Sequence, residues 1–309
     1  MKHIVLGTSD LKVPAVAVGC MRLSDISIKE AAELIDTALE NACNFFEHAD
    51  IYGYGRELTC ESIFSEAVRM TPSVREKIIL QSKCGIVPGV MYDFSKKHIL
   101  EAVDTSLRRL KTDYLDVLVL HRPDALVEPE EVAEAFDILE TSGKVRHFGV
   151  SNHKSAQISL LKKYVKQPLI VDQLQFSLVN SGMIQSGIET NMTTPGAVDR
   201  DDSVLDYCRF HDITIQTWSP FQYGFIEGCF IGSDKFPELN RVLDELAEKY
   251  GVSAATIAAA WILRHPAKMQ IIAGTTKPAH LKDIFRAADI TLTREEWYRL
   301  YLAAGHILP

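Results

Sequence analysis

Residues 44–55 place an acid and a phenol close together at the end of a short apolar run. Their sequence is NFFEHADIYGYG, in which Glu47 follows two phenylalanines and Tyr52 comes five residues later, next to a glycine. The pattern predicts a buried strand that ends at the carboxylate and continues into a loop carrying the phenol. Taken alone, a carboxylate at a strand end is more often a helix cap or a surface acid, and a Tyr beside Gly in a loop is more often a packing residue.

Polar or reactive side chains also follow later apolar runs. Lys83 follows KIILQS, His121 follows YLDVLVL, and Ser151 and Asn152 follow VRHFGV. Three further runs end in the groups Asp172 and Gln173; Trp218 and Ser219; and Gly274, Thr275 and Thr276. Helical patterns separate these runs, and strands that alternate with helices of 10–15 residues predict a parallel sheet. With the short apolar strand predicted at Ala15–Gly19 these make eight units, which favour an α/β fold of the (β/α)8 TIM-barrel type, in which all these strand ends meet on one face.

The remaining segments predict additions to this barrel. Residues 2–13 look like an N-terminal β-hairpin that could cover the closed end, and a helix opening near Thr293 lies outside the repeat as an extra C-terminal helix. Residues 178–199 show no clear period and follow the sixth barrel strand, so we expect them to hang over the active face. No linker is apparent, and residues 1–309 are predicted to form a single domain.

Composition restricts the classes of partner. The 309 residues carry 33 basic and 41 acidic side chains, a net charge of -8, and no basic block suited to nucleic acid or to an anionic membrane. No run approaches the roughly 20 apolar residues of a membrane span. The six cysteines show no metal-binding spacing, and the start is too weakly apolar for a signal peptide. These features predict a cytoplasmic protein without a metal, acting as a monomer or weak homo-oligomer.

The groups at the first strand ends suit proton transfer to a carbonyl. Tyr52 can donate a proton at working pH only if its pKa falls from about 10, and a nearby ammonium such as Lys83 favours the phenolate. Glu47 would keep that ammonium charged and fixed. His121 could orient the carbonyl oxygen. General acid catalysis of this kind contributes roughly 10²–10⁴ in rate.

Reduction of the carbonyl carbon requires a hydride from a cofactor. The chain lacks G-x-G-x-x-G, which argues against a Rossmann site. Phosphate can instead bind at the loops after the last two strands of a barrel and at a helix N-terminus, where Gly274, Thr275, Thr276 and Lys277 supply N–H groups, hydroxyls and a cation. The side chains suited to a nicotinamide are the polar Ser151, Asn152 and Gln173, for its carboxamide, and the flat Trp218, for its ring.

With these groups in place, the chain resembles the aldo-keto reductase superfamily, and most closely its bacterial branch of uncharacterised cytosolic oxidoreductases. The resemblance covers nearly the whole chain. It rests on the segments NFFEHADIYG, LQSKCGI, LDVLVLHRPD, GKVRHFGVSN, DQLQFS, TWSPF and IAGTTKPAHLKDI, in the order and spacing of the family. It implies a (β/α)8 barrel that reduces small aldehydes and ketones with NADPH (NADP+ as the oxidised form) and uses no metal.

The resemblance also assigns roles. Tyr52 would be the proton donor, Lys83 would lower its pKa, and His121 would orient the substrate. The nicotinamide would be held by Ser151, Asn152, Gln173 and Trp218, and the phosphates and adenosine half by Ser219, Pro220, Gly274, Thr275, Thr276, Lys277, His280 and Asp283. Three positions depart from the family: Glu47 replaces Asp, Asp172 replaces Asn, and His280 replaces Arg. The extra methylene of Glu47 reaches about 1–1.5 Å further, which could displace the Lys83 pair, and a 1 Å shift can cost as much as 10²-fold in rate.

Two other classes of function are compatible with parts of the pattern. The Glu47 substitution suggests a regulatory protein that binds NADP(H) but turns over little. A metal-dependent hydrolase on an unrelated barrel would need a His/Asp cluster at the strand ends. His48 follows Glu47 directly, but the strand ends contain no H-x-H motif.

Overall fold

Eight parallel strands close into a barrel in the computed structural model, which describes residues 2–308, so that residues 1 and 309 of the predicted domain lie outside it. In chain order the barrel strands are β1 (Val16–Gly19), β2 (Phe45–Glu47), β3 (Ile79–Cys84), β4 (Leu115–Leu120), β5 (Val145–Ser151), β6 (Leu169–Gln175), β7 (Thr214–Trp218) and β8 (Met269–Ala273). Each strand pairs in parallel with the next, and β8 closes the barrel on β1, with Ile271 opposite Val16. The predicted (β/α)8 fold is confirmed.

Helices connect the strands and form an outer layer. They are α1 (Ile28–Glu40), α2 (Cys60–Ala67), α3 (Pro72–Arg75), α4 (Lys96–Leu110), α5 (Pro129–Thr141), α6 (Ser155–Lys162), α7 (Gly182–Ile188), α8 (Val204–Phe210), α9 (Pro237–Tyr250), α10 (Ala254–Arg264), α11 (Pro278–Phe285) and α12 (Arg294–Ala303). Their apolar faces pack on the barrel, because the spacing of their hydrophobic residues follows the helical period.

Local sequence signals fix where several helices begin and end. Ser27 and Glu30 form a capping box at the start of α1, and Thr293 and Glu296 form another at α12, which follows the last barrel strand as the predicted extra C-terminal helix. Gly251, with φ of 63°, ends α9 in the left-handed conformation that glycine adopts without strain. This glycine therefore separates α9 from α10.

An N-terminal hairpin covers the amino end of the barrel. Its strands His3–Val5 and Lys12–Pro14 are antiparallel, as predicted. The Gly7 amide in its turn donates to Thr214 Oγ1 over 2.7 Å, at the start of β7. A Cβ at this glycine would lie 2.4 Å from the Ile170 carbonyl oxygen, so the turn needs glycine to fit so closely. Buried hairpin side chains pack against the barrel interior, which leaves the carboxyl face of the barrel as the open end.

The carboxyl face carries structure that the sequence did not reveal. Residues 178–199, predicted to lack regular structure, contain α7 and a 3₁₀ turn at Pro195–Ala197. Ser181 at the start of this segment accepts or donates a 2.9 Å hydrogen bond with His306 Nε2 near the carboxyl terminus. Two short hairpins also lie there: Ile86–Val87 with Met91–Tyr92, and Gln222–Tyr223 with Gly228–Cys229. The residues of 2–308 include no helix long and apolar enough to cross a bilayer.

Candidate active site

Glu47, Lys83 and Tyr52 contact one another at the carboxyl end of the barrel. Glu47 lies at the end of β2 and Lys83 near the end of the neighbouring β3. The Lys83 ammonium is ion-paired with Glu47 Oε1, and Lys83 Nζ donates to Tyr52 Oη over 3.0 Å and to the His48 carbonyl over 2.8 Å. Glu47 is 2% exposed and Lys83 1%. All three donors of the buried ammonium are therefore satisfied.

The longer side chain of Glu47 brings its carboxylate to the phenol. Tyr52 Oη donates to Glu47 Oε1 over 3.1 Å, the same oxygen that pairs with Lys83. Lys83 nevertheless stays within hydrogen-bond distance of Tyr52. The displacement considered from the sequence is therefore not seen. The extra methylene instead adds a direct contact between the acid and the phenol.

Burial and the contact with Glu47 both shift the pKa of Tyr52 upward. Burial raises the pKa of the Tyr52 phenol well above its usual value, and the adjacent Glu47 carboxylate raises it further. Burial lowers the pKa of Lys83, while its pairing with Glu47 opposes that change. Burial and Glu47 therefore act against the role predicted for Lys83, and the lowering of the Tyr52 pKa by Lys83 stays a prediction.

His121 lies against Tyr52 and is neutral at physiological pH. Its ring meets the Tyr52 ring edge-on, with centroids 6.1 Å apart and planes at 82°. Burial, with smaller contributions from Lys83 and Arg122, lowers the pKa of His121 well below 6.5. Its Nδ1 is buried and forms no hydrogen bond within residues 2–308. A neutral imidazole here offers one N–H to an oxygen bound in front of Tyr52.

Ser151, Asn152, Gln173 and Trp218 form a second hydrogen-bonded group across β5, β6 and β7. Asn152 adopts a left-handed backbone conformation, with φ of 58°. Its amide donates to Ser151 Oγ over 2.8 Å, and its oxygen accepts from Trp218 Nε1 over 3.1 Å. Ser151 Oγ in turn donates to the Gln173 carbonyl over 2.8 Å. The four residues predicted to hold a nicotinamide are therefore brought together.

A layer of glutamines lies inside the barrel next to this group. Gln216 exchanges two hydrogen bonds with Gln81, of 2.8 and 2.9 Å, donates to Gln270 over 2.8 Å, and accepts from Gln173 over 3.2 Å. Gln81, Gln216 and Gln270 are fully buried. These three residues were not singled out from the sequence, because each lies inside a strand and not at its carboxyl end.

The predicted phosphate loop lies between β8 and α11. The Lys277 amide donates to Thr275 Oγ1 over 3.1 Å, and no side chain caps the first turn of α11. Such a turn leaves backbone N–H groups for an anion. Arg22, which follows β1 and was not predicted, donates to the Gly274 carbonyl over 2.8 Å. The position of Arg22 after a barrel strand was the sequence signal that could have identified it.

The other predicted cofactor residues occupy varied surroundings. Lys277 and His280 are exposed, while Asp283 is half-buried and its backbone carbonyl accepts from Thr256. Ser219 has φ of 50° and donates to Gln222 Oε1 over 2.7 Å, and the adjacent Pro220 is buried. Lys277 and His280 are thus free to approach a ligand from the solvent side.

Asp172 lies in β6 beside Gln173. It is fully buried, and neither carboxyl oxygen forms a hydrogen bond within residues 2–308. Burial raises the pKa of Asp172 well above 3.8, against a smaller opposing effect of the Asn152 and His153 amides. The raised pKa favours the neutral carboxyl form of Asp172, which is close to Asn in size and in charge.

Neither Asp50 nor His48 forms part of the contact with Tyr52. The Asp50 amide donates to the Lys83 carbonyl over 3.0 Å, whereas the Lys83 ammonium pairs with Glu47. His48 is buried against Phe64, and burial lowers its pKa to about 3. The part of the chain that the structure describes contains no group of three His, Cys, Asp or Glu side chains able to hold a metal ion.

Comparison with known proteins agrees with this geometry. A model of the aldo/keto reductase family matches residues 4–301, and the chain belongs to that family. It is 34% identical over 324 aligned residues to an uncharacterized oxidoreductase of Bacillus subtilis, covering 100% of both chains. It is 33% identical over 310 residues to a 6-dehydroglucose reductase of Novosphingobium aromaticivorans, covering 98% of this chain and 96% of the relative.

A solved structure supports the same fold. The crystal structure of a thermostable aldo-keto reductase in complex with the inhibitor epalrestat matches with a TM-score of 0.77, over 98% of this chain and 100% of that chain, at 24% identity. The family membership and these oxidoreductase relatives make this protein an NAD(P)H-dependent oxidoreductase that acts on a small carbonyl compound.

Proposed function

We propose that the protein reduces an aldehyde or ketone to the alcohol with NADPH, and that Tyr52 supplies the proton. The observation that carries this proposal is the contact of Tyr52 Oη with both Lys83 Nζ and Glu47 Oε1, beside the neutral ring of His121. A hydroxyl proton, a cation and a neutral N–H donor then lie around one point in front of the phenol. A carbonyl oxygen bound at that point would receive stabilisation as negative charge develops on it.

The bound nicotinamide would supply the hydride to the carbonyl carbon. The protein residues perform the remaining tasks. Asn152 and Ser151 are held by mutual hydrogen bonds, which suit them to orient a carboxamide. Trp218 is fixed by its bond to Asn152, so its face is available to an aromatic ring. Tyr52 transfers its proton to the carbonyl oxygen, and Lys83 stabilises the phenolate that this leaves.

The other function considered, a regulatory protein with little turnover, rested on Glu47. That residue leaves Lys83 3.0 Å from Tyr52, so the groups required for proton transfer still meet. This geometry favours the reductase. Because one relative carries the name 6-dehydroglucose reductase, we include 6-dehydroglucose beside simple aldehydes and ketones in the substrate panel that tests the proposal.

The decisive variant is Tyr52→Phe. We expect carbonyl reduction, followed by NADPH absorbance, to fall about 10²–10⁴-fold, because general acid catalysis is lost. Cofactor affinity, measured by fluorescence titration, should stay unchanged. Tyr54→Phe is the matched control, since Tyr54 lies in the same loop but is 71% exposed. Activity of the Tyr52 variant at the level of this control would refute the proton-donor role.

A further inference from the structure

Arg122 directly follows His121 and extends toward the loop that follows β7. Its guanidinium carbon lies 5.8 Å from the centroid of the Phe225 ring. Phe225 belongs to the turn between Gln222–Tyr223 and Gly228–Cys229, which follows β7, whereas Arg122 follows β4. The two side chains therefore meet from loops on different parts of the barrel.

The position of this contact follows from the strand order. Strands β5 and β6 separate β4 from β7 in the closed barrel. Side chains from the loops after β4 and β7 thus approach each other across the mouth of the barrel, where all carboxyl ends converge. Phe225 also packs edge-on against Trp218, with ring centroids 6.2 Å apart. The contact between Arg122 and Phe225 consequently lies over the group of residues proposed to hold the nicotinamide.

The charge of Arg122 is not used by the protein itself. Within residues 2–308 its guanidinium forms neither a hydrogen bond nor an ion pair, and its ring contact is near the 6 Å limit for a cation–π interaction. The nearest acid along the chain, Asp124, instead accepts from the amides of Phe94 and Leu126, over 2.9 and 2.8 Å. A half-buried cation with five N–H donors is left facing the mouth.

We propose that Arg122 binds an anionic oxygen group, a carboxylate or a phosphate, carried by the carbonyl substrate. This rests on the proposed reductase function and names its substrate class. The planar guanidinium matches both anions with two parallel hydrogen bonds, which makes Arg the usual residue for them. Phe225, 69% exposed on the other side of the mouth, would cover the apolar part of the same molecule.

Matched substrates test the proposal directly. We would measure kcat/KM with NADPH for 4-formylbenzoate and its neutral methyl ester, and for glyceraldehyde 3-phosphate and glyceraldehyde, in the native protein, Arg122→Gln and Arg122→Lys. Loss of a charge-assisted hydrogen-bonded pair should lower kcat/KM for the anionic member about 10- to 100-fold in the Gln variant. The neutral member should change less than about threefold, and Lys should restore part of the loss. The carboxylate and phosphate arms show which anion is preferred.

A binding measurement separates this proposal from the reductase function. Calorimetry of 4-methylbenzoate, which has no alcohol for NADP+ to oxidise, on the NADP+-loaded protein needs no turnover, and we expect about 10-fold weaker binding to Arg122→Gln at unchanged thermal stability. Equal binding to both proteins, or equal losses on anionic and neutral substrates, would overturn the role of Arg122. Wild-type activity of Tyr52→Phe would instead refute the proton donor and leave the binding result to judge Arg122.

Discussion

Glu47→Asp changes only the side-chain length of the acid that contacts both Lys83 and Tyr52. Glu47 Oε1 receives both the Lys83 ammonium and the Tyr52 hydroxyl, the latter over 3.1 Å. Removing a methylene withdraws the carboxylate by roughly 1.5 Å, the length of a C–C bond. The distance to the phenol then exceeds 4 Å by this estimate, which is too long for a hydrogen bond. The flexible Lys83 side chain can follow the carboxylate and keep its ion pair.

The size of the effect follows from the lost bond. A hydrogen bond to a charged group is worth about 1.5–3 kcal/mol, and each pKa unit corresponds to about 1.4 kcal/mol. Losing it should therefore lower the pKa of Tyr52 toward its usual range. Because the phenol would then no longer donate to Glu47, its proton is available to the substrate. We expect kcat to remain unchanged or to rise up to about 10-fold.

The assay is steady-state reduction of a fixed aldehyde at saturating NADPH, with cofactor affinity measured in parallel. Glu47→Gln is the matched control, because it keeps the length and removes the charge. It should leave the buried Lys83 ammonium unpaired, which typically costs 3–5 kcal/mol, and so lower both Tm and kcat. A fall in kcat of more than 10-fold in the Asp variant, with NADPH affinity intact, would refute the reasoning and show a site built around Glu.

Three further outcomes are expected. The exposed Lys277, changed to Ala, should weaken NADPH roughly 10-fold more than NADH if it meets the 2′-phosphate; equal losses by titration would count against that contact. The pKa of His121 lies well below 6.5 and that of Tyr52 well above 10, so kcat/KM should vary less than about twofold between pH 6 and 8.5. An inflection near pH 6.5 that is absent in His121→Asn would contradict a neutral imidazole. Burial and Glu61 raise the pKa of Asp50 from 3.8 to about 7. Its proton therefore stabilises the fold fully below pH 3.8, and that contribution is lost as the pH rises through 7. Asp50→Asn should flatten the decline of Tm between pH 5 and 8, and parallel Tm curves for the two proteins would disprove the shift.

The barrel and the convergence of its strand ends were predictable from the sequence. Apolar runs ending in Lys83, His121 and Ser151 recur with helices between them, and parallel closure brings such ends to one face. Capping residues at α1 and α12 mark helix starts by local chemistry alone. These features depend on spacing and on neighbours along the chain, which a sequence states directly.

The details that depend on side-chain reach were not predictable. The contact between Glu47 and Tyr52 requires a carboxylate oxygen within 3.1 Å of a hydroxyl, and the upward shift of the Tyr52 pKa follows first from burial of the phenol and then from that contact. Helix α7 escaped notice because its seven residues include two glycines and show no hydrophobic period. The meeting of Arg122 with Phe225 joins loops about 100 positions apart.

The glutamine layer has a mechanical consequence for the molecule. The side-chain carbonyl of Gln216 accepts hydrogen bonds and its amino group donates them. The Gln270 amino group in turn donates to the Pro14 carbonyl at the amino end of the barrel. Turning the Gln216 amide over would place its amino group against those of Gln81 and Gln173. Its oxygen would then lie against those of Gln81 and Gln270, so these bonds hold the set in the observed orientation. Gln173 donates to Gln216 and is held in the same orientation. The base of the site proposed for the nicotinamide is therefore ordered before any ligand binds.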